Sequence, residues 1–177
     1  MENTADIKAI IGLGNPGVRF VNTRHNIGFI VLDILADQHN AQWETKGNLE
    51  FAEIDNDGKR VLLIKPQTFM NDSGKVIPFL KNKGIEVDNI LVVHDELEYP
   101  FGKVGMKVGG SARGHNGLRS IIEFVGPEFH RIRCGIGRPE DKKMVADYVL
   151  QNFSQTSEEI TQMVDLALEK ISQLINV

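Results

Sequence analysis

The sequence predicts a single α/β domain, residues 1–177, with a twisted, mixed and mostly parallel central sheet and helices on both faces. Short apolar runs at residues 7–11 and 90–93 suit buried strands, and amphipathic helical stripes lie between such runs. The composition, 41% hydrophobic and 25% charged residues, is that of a globular chain. We find no repeat or linker, so one domain is expected.

The first half of the chain predicts two strand-to-helix units. The first apolar run ends in a glycine-rich loop at residues 12–17, and a helical stripe begins near Asn26, which is placed to cap it. Two apolar runs that flank residues 55–58 predict a β-hairpin. A helix is expected over residues 73–83, where Pro78 either kinks it or marks its first turn.

The second half continues the alternation. The strand at 90–93 leads directly into residues 94–96, His-Asp-Glu, and further strands are expected at 104–108 and 131–136. Basic residues alternate with apolar or small ones in 131–136, which favours a strand with one wet face. Ligands of such sheets bind beyond the carboxyl ends of the strands. The loops expected there are 12–26, 94–99 and 109–117.

Two more helices complete the prediction. Asn116 is placed to cap a helix that ends at Gly126. The last helix, from about Ser157 to Asn176, opens with a capping box that begins at Thr156. Its apolar side chains recur on one side, so we expect it to pack against the sheet.

Charge is distributed unevenly along the chain. The net charge is −4, which by itself argues mildly against a nucleic-acid partner. Residues 103–138, however, hold seven basic and two acidic residues. Such a segment is either a solvated face or the site of an anionic ligand, and the charge pattern alone does not choose between them.

Several protein classes are excluded or disfavoured by the residues. The single cysteine, Cys134, excludes an internal disulfide framework and a cysteine-rich zinc site. No apolar run approaches the roughly 18 residues of a membrane span, and the first residues lack the layout of a secretory signal. The sequence therefore predicts a cytoplasmic protein without membrane contact.

The glycine-rich loop matches the dinucleotide fingerprint Gly-x-Gly-x-x-Gly at Gly12, Gly14 and Gly17. In that fingerprint the glycines open directly onto a helix, whereas no helical stripe appears here before Asn26. The acidic residue expected about 20 positions later would be Asp33, which falls inside the predicted helix. We therefore disfavour dinucleotide binding, and the glycines can simply form a tight turn.

Hydrogen-bonding side chains crowd the same predicted edge of the sheet, and His25 and Asp95 form the pair of greatest interest. A carboxylate bonded to one imidazole nitrogen fixes the tautomer and makes the other nitrogen a better base. Taken alone, a histidine such as His25 is more often a satisfied residue at a helix start than a catalyst. No Gly-x-Ser-x-Gly elbow is present and Cys134 falls in a strand, so His25 would have to activate water.

A metal site is the competing chemical interpretation. It would use His94, Asp95, Glu96 and Glu98 with a second histidine. Neither His-Glu-x-x-His nor a comparable ligand spacing is present. We therefore expect no metal and no other cofactor.

Six motifs, in order and across nearly the whole chain, resemble bacterial peptidyl-tRNA hydrolase. They are residues 12–17 (GLGNPG), 23–28 (TRHNIG), 65–74 (KPQTFMNDSG), 94–97 (HDEL), 114–118 (GHNGL) and 129–137 (FHRIRCGIG). The resemblance implies hydrolysis of the ester between a peptide and the 3′-terminal ribose of tRNA, which recycles tRNA from aborted translation.

The resemblance also implies roles for individual residues. It makes His25 the general base and Asp95 its support. Asn15 would help to distinguish peptidyl from free aminoacyl ends, and Asn71 and Asn116 would hold the peptide backbone and organise the water. The implied enzyme is a monomer without a cofactor.

Further positions are implied to bind substrate. The aromatic residues Phe20 and Phe69 would lie against the acceptor end of peptidyl-tRNA, and Lys107 and Arg133 would clamp the 5′-phosphate of tRNA. The chain departs from the family in three places: phenylalanine at position 20 where tyrosine is common, the added charge of Arg113, and a short acidic C-terminal helix.

A second class of function stays open beside the enzyme. Relatives of this fold in plant plastids act as intron-splicing factors that bind RNA and protein without hydrolysis. Retention of the full polar set favours the enzyme, because a pure scaffold has no physical need for all five side chains. The set is Asn15, His25, Asn71, Asp95 and Asn116.

Overall fold

The structure, a computed structural model, describes residues 5–176 and is built on one seven-stranded sheet. In chain order the strands are β1 (Ala9–Gly12), β2 (Glu44–Lys46), β3 (Leu49–Asn56), β4 (Lys59–Pro66), β5 (Ile90–Glu96), β6 (Val104–Val108) and β7 (His130–Gly135). Their order across the sheet is β2-β3-β4-β1-β5-β7-β6. The central strands β4, β1, β5 and β7 are parallel, and β2, β3 and β6 join antiparallel at the two sides.

Within the described residues, five α-helices and several 3-10 turns cover the sheet. The helices are α1 (Ile27–Gln38), α2 (Ile77–Lys81), α3 (Asn116–Val125), α4 (Val145–Val149) and α5 (Ser157–Ile175). One core cluster joins α1 and α5 to one face, and a second joins α2 and α3 to the other. The predicted α/β class, with helices on both faces, is therefore confirmed. Within residues 5–176 no helix has the length and apolarity needed to cross a membrane.

Several local predictions are confirmed. β3 and β4 form the expected antiparallel hairpin. Pro78 lies in the first turn of α2, after a 3-10 stretch at Met70–Val76, so it marks a helix start and not a kink. Thr156 and Glu159 form the capping box of α5.

Two predicted helix caps are wrong. Asn26 precedes α1 but makes no capping hydrogen bond, because its side chain binds the backbone of Asn15. At α3 the capping residue is His115 and not Asn116: Nδ1 of His115 accepts from the backbone N–H groups of Gly117 and Leu118. Asn26 thus bonds to a tertiary partner and leaves α1 without a side-chain cap, whereas at α3 the neighbouring residue His115 takes the capping role.

The expected wet face of β7 is also wrong at Arg131. β7 lies between β5 and β6, and Arg131 is buried. Its guanidinium donates to the carbonyl oxygens of Gly110, Ser111 and Pro127. The first two bonds fix the 109–114 loop to β7. Satisfied carbonyl partners make burial of this charge tolerable.

Glycines let α1 approach the sheet very closely. A Cβ atom on Gly28 would lie 2.4 Å from the backbone nitrogen of Leu13 and 2.5 Å from the carbonyl oxygen of Val93. A Cβ atom on Gly12 would lie 2.4 Å from the carbonyl oxygen of Gly28. The first turn of α1 therefore rests directly on the ends of β1 and β5, which sets His25 beside Asp95.

Substitution of Gly28 is expected to damage both stability and activity. In Gly28→Ala the new methyl group meets backbone on two sides, so overpacking should cost about 1–3 kcal/mol or more of unfolding free energy and shift α1 off the sheet. Urea unfolding measures the first effect, and the ester hydrolysis that the family resemblance implies measures the second. Gly84→Ala is the control, since Gly84 has open space around it and a φ of +73°. That variant should lose about 1 kcal/mol and keep its activity; wild-type values for Gly28→Ala would contradict the prediction.

Candidate active site

The polar residues predicted from sequence meet at the carboxyl edge of β1 and β5. A cavity of about 440 Å³ lies there, and its wall includes His25, Asp95 and Asn116 together with Lys107 and Arg133. Five of the nine predicted site residues therefore share one cavity.

Asp95 lies at the centre of this group and is buried. Its Oδ2 is 2.8 Å from Nδ1 of His25, and its Oδ1 is 2.8 Å from Nε2 of His115. The side chains of the two histidines are only 12% and 11% exposed. One carboxylate is thus shared by two imidazoles that come from different parts of the chain.

Hydrogen bonding fixes the proton positions in this group. Nδ1 of His115 accepts two backbone N–H groups, so it carries no proton, and Nε2–H donates to Asp95. Asp95 also accepts the Nδ1 proton of His25. Nε2 of His25 is then left with a lone pair, which is the state required of a general base.

The charges of the group are consistent with this arrangement. Burial raises the pKa of Asp95, but the electrostatic attraction of His25 and His115 for the carboxylate and their hydrogen bonds outweigh it, so the pKa lies well below its ordinary value. For His25, burial lowers the pKa, whereas the charge of Asp95 and its hydrogen bond raise it, and the net pKa is above the ordinary 6.5. Asp95 is ionised and stabilises the protonated form of His25.

His94 is buried behind this pair. Its Nδ1–H donates to the backbone carbonyl of Asp95 at 2.9 Å, and Nε2 has no partner in the described chain. Burial and the neighbouring charge of His115 lower the pKa of His94 to about 4. The ring is therefore neutral at physiological pH and contacts the edge of His115.

Asn15 is held in place by three hydrogen bonds. Its backbone N–H donates to Oδ1 of Asn26, and its carbonyl accepts from Nδ2 of Asn26, both at 2.9 Å. Its own side-chain oxygen accepts the backbone N–H of Met70 at 2.8 Å. Since that oxygen is occupied, the amino group of Asn15 is the part left to bind a ligand.

The bond to Met70 brings a second group of predicted residues to the site. Phe69 and Asn71 flank Met70 in the chain; Phe69 is 64% exposed and Asn71 is also exposed. Phe20 is half-buried, with the guanidinium of Arg19 5.3 Å from its ring. Asn15, Phe20, Phe69 and Asn71 do not line the 440 Å³ cavity; the bonds of Asn15 connect residues 69–71 to the turn that carries His25.

Lys107 and Arg133 lie on the neighbouring strands β6 and β7. Loss of hydration and the positive charge of Arg133 lower the pKa of Lys107. Arg133 is not free: its Nε donates to Glu96 at 2.7 Å and its Nη1 to the hydroxyl of Tyr99 at 3.0 Å, and the guanidinium stacks on the Tyr99 ring. Lys107 and Arg133 therefore line the same cavity, and the carboxylate of Glu96 pairs with Arg133 there.

The side chains closest to a metal-binding arrangement are His25, Asp95 and His115, whose ligand atoms lie within 4.8 Å of one another. Each nitrogen is 2.8 Å from the carboxylate, a hydrogen-bond distance and shorter than the roughly 3.4 Å between two ligands of a tetrahedral zinc site. This geometry fits shared protons better than a shared ion. The alternative set of His94, Glu96 and Glu98 does not form such a group, since Glu96 and Glu98 pair with arginines.

Cys134 is not a nucleophile. The residue is completely buried in β7, and burial together with the charge of Asp95 raises the pKa of its thiol to about 12. A thiol that stays protonated at neutral pH is inert packing, as the sequence predicted.

Two residues important to the geometry were not among the predicted site residues. In the sequence His115 stands out only as part of the 114–118 motif, and Asn26 only as a predicted helix cap. Both stand immediately before a helix, where sequence patterns predict capping. Only the tertiary contacts reveal that they hold Asp95 and Asn15 in place.

An α/β sheet with a carboxylate–histidine pair at its carboxyl edge defines a site for acid–base catalysis. The profile of the peptidyl-tRNA hydrolase family matches residues 9–177, and the chain belongs to this family. It is 44% identical over 170 residues to peptidyl-tRNA hydrolase from Rickettsia bellii (strain RML369-C), covering 94% of this chain and 90% of the relative. The protein of the same name from Rubrobacter xylanophilus is 44% identical over 161 residues, 91% of each chain.

Solved structures agree. The crystal structure of peptidyl-tRNA hydrolase from Acinetobacter baumannii superimposes with a TM-score of 0.90 at 38% identity, over 99% of this chain and 92% of that one. A purine nucleoside phosphorylase from Toxoplasma gondii, at 9% identity and a TM-score of 0.60, shares the fold alone.

The buried, neutral state of His94 predicts a pH dependence of stability. The unfolded chain binds a proton at His94 near pH 6.5, whereas the folded chain does so only near pH 4. Stability should therefore fall as pH drops from 6.5 to about 4, by up to about 1.4 kcal/mol per pH unit. Urea unfolding across this window measures the slope.

His94→Asn is the matched variant, since its amide can still donate to the backbone of Asp95 but does not titrate. It should flatten the slope whatever its overall stability. His25 does not interfere, because its raised pKa removes stability only as pH rises above 6.5. An unchanged slope in His94→Asn would refute the assignment.

Proposed function

We propose that His25 is the general base of this enzyme and that water is its nucleophile. As a member of the peptidyl-tRNA hydrolase family, the protein hydrolyses the ester bond between a peptide and tRNA. One observation carries the assignment: Asp95 accepts the Nδ1 proton of His25 at 2.8 Å, and its other oxygen is occupied by His115. Nε2 of His25 is therefore available to take a proton from water.

In the proposed reaction, Nε2 of His25 removes a proton from water as the water oxygen attacks the ester carbonyl carbon. The negative charge of Asp95 stabilises the imidazolium that forms. When the tetrahedral intermediate collapses, the same proton passes to the departing ribose oxygen. The products are a peptide with a free carboxyl group and tRNA with a free 3′-terminal hydroxyl, and the enzyme returns to its starting state.

Asn15 is proposed to recognise the peptide. Because Met70 holds its side-chain oxygen, Asn15 offers an N–H donor. A donor suits the amide carbonyl that precedes the last residue of a peptide, whereas a free aminoacyl end has an ammonium group there. Asn71 and Asn116, both exposed, are proposed to bind peptide backbone and to organise the water.

The exposed ring of Phe69 and the half-buried ring of Phe20 are proposed to pack against the acceptor end of the substrate. Position 20 has no hydroxyl in this chain, so its contact is packing or stacking alone. Such contacts are independent of the peptide's sequence.

Lys107 and Arg133 are proposed to bind the 5′-phosphate of tRNA. Both line the same cavity as His25, and the surrounding cations include Arg113 and Arg131. Contacts to phosphate supply affinity without sequence preference. We further propose that the chain works as one domain and as a monomer, in the cytoplasm and without a cofactor; activity that survives chelator and a monomeric mass by light scattering are the expected results.

Loss of the base should nearly abolish catalysis. In His25→Ala the rate should fall by a factor of roughly 10² to 10⁴, because a positioned general base supplies that much. Asp95→Asn keeps the size of the side chain but removes its charge, so turnover should fall while substrate binding changes little. Release of peptide from N-blocked aminoacyl-tRNA measures both.

Phe124→Leu on α3 is a control with a partly exposed side chain outside the cavity, and it should keep its activity. Circular dichroism confirms that each variant folds. Wild-type turnover in His25→Ala would exclude the proposed mechanism.

Charge reversal in the basic site should affect the reaction of the full-length substrate only. Lys107→Glu or Arg133→Glu should raise KM for peptidyl-tRNA and leave cleavage of an N-blocked aminoacyl nucleoside nearly unchanged, since that ester lacks the phosphate. Lys46→Glu is a matched charge reversal on β2, at the opposite side of the sheet from β6, and should change neither. Equal losses on both substrates would assign Lys107 and Arg133 to folding or to the chemistry itself.

A further inference from the structure

A further wall of the cavity belongs to the segment 142–153, five of whose residues line it. Lys142 and Lys143 line the cavity from this segment, followed by Val145, Ala146 and Val149. Both lysines are exposed, and neither forms an ion pair with a carboxylate in residues 5–176. The wall therefore presents two uncompensated positive charges to the same space as His25.

This wall is joined to the turn that carries His25 by backbone hydrogen bonds. The backbone N–H of Arg24 donates to the carbonyl of Gln151 at 3.1 Å, and the N–H of Phe153 donates to the carbonyl of Asn22 at 3.1 Å. Between them, Thr23 and Asn152 form an antiparallel bridge. The segment before His25 and the end of the wall thus run as a short two-stranded ladder.

The side chain of Arg24 is the other connection. It is only 6% exposed. Its Nη1 donates to the backbone carbonyl of Tyr148 at 2.9 Å and to Oε1 of Gln151 at 3.3 Å, and its guanidinium carbon is 3.9 Å from the centre of the Tyr148 ring. The Tyr148 hydroxyl in turn donates to the carbonyl of Ile136, so the ring itself is held.

These surroundings are energetically unfavourable for a charged side chain. No carboxylate in the described residues pairs with Arg24, and its Nε is buried without a partner. A buried cation that is compensated only by carbonyls and an aromatic face contributes little to stability. Its planar shape, however, can stack and donate at once in a fixed orientation, which a lysine cannot do. The contact of Arg24 with Tyr148 and Gln151 is therefore better suited to orient the two segments than to stabilise the fold.

We propose that Arg24 is a positioning residue that fixes the wall 142–153 to the catalytic turn and so holds His25 in register with Asp95. His25 follows Arg24 in a 3-10 turn, Arg24–Asn26, which also carries the side chain that holds Asn15. The same contact fixes the position of the two wall lysines relative to His25. The inference rests on the proposed role of His25.

The test compares two substrates, peptidyl-tRNA and an N-blocked aminoacyl nucleoside. Arg24→Met and Arg24→Lys should both lower kcat on both substrates by about 10- to 100-fold, as expected for a misplaced base. KM should be unchanged for the small ester and raised for peptidyl-tRNA.

The double variant Lys142→Ala/Lys143→Ala should raise KM for peptidyl-tRNA and leave KM for the small ester unchanged. The control is Arg60→Met, at a 76%-exposed side chain of β4, which should change neither kcat nor KM.

Variants of Tyr148 test the same contact from its other side. Tyr148→Phe keeps the stacked ring and should retain kcat, whereas Tyr148→Leu should lose it to a similar degree as Arg24→Met. The two losses should be less than additive in the Arg24→Met/Tyr148→Leu double variant, because both substitutions remove the stacking contact. Fully additive losses would overturn the proposal. A wild-type kcat in Tyr148→Leu would also overturn it, and that result stands even if the Arg24 variants fail to fold.

Proton NMR separates positioning from general destabilisation. The Nδ1 proton of His25, shared with Asp95, should broaden or disappear in folded Arg24→Met, and the Nε2 proton of His115 should persist. An unchanged His25 signal together with wild-type kcat would exclude a positioning role. If instead His25→Ala itself keeps full activity, the mechanism proposed above fails and not the contact of Arg24.

Discussion

The buried carboxylate of Asp95, shared by His25 and His115, is the interaction on which the site depends. A lone carboxylate in this position would be strongly disfavoured, so its charge is tolerated only because two N–H donors meet it. Those donors come from the turn before α1 and from the start of α3, while Asp95 is the last residue but one of β5. One charge therefore joins three separate elements, and each must be placed to within hydrogen-bond tolerance.

The parts of this arrangement that follow from local patterns could be predicted from the sequence. Buried strands, amphipathic helices and the hairpin follow from periodicity and turn residues, and the placement of His25 near Asp95 follows from the rule that loops meet at the carboxyl edge of parallel strands. The sequence does not predict the hydrogen-bond partner of each polar side chain. Asn26 and Asn116 both have the pattern of a helix cap, yet the former binds Asn15 and the latter gives way to His115, because tertiary partners compete with local ones.

The glycine-rich loop is a second case in which a local sequence pattern does not identify the tertiary partner. Its letters fit a dinucleotide fingerprint, but the loop leads to a 3-10 turn at Val18–Phe20 and not to a helix that could face a pyrophosphate. Gly12 is required because the backbone of α1 passes over it, with Gly28 on the opposing surface. A fingerprint of small residues records close backbone approach, and a helix can be the approaching partner as readily as a phosphate.

The ion pair between Arg133 and Glu96 has a consequence for the thermodynamics of tRNA binding. In the role proposed for Arg133, the guanidinium is already paired with Glu96 before tRNA binds, so a tRNA phosphate would replace one anion with another. Fewer condensed counterions are then released than the number of cations around the cavity suggests. Affinity for tRNA should consequently decline less steeply with ionic strength than a count of basic residues implies, which suits an enzyme that must let go of its tRNA after each turnover.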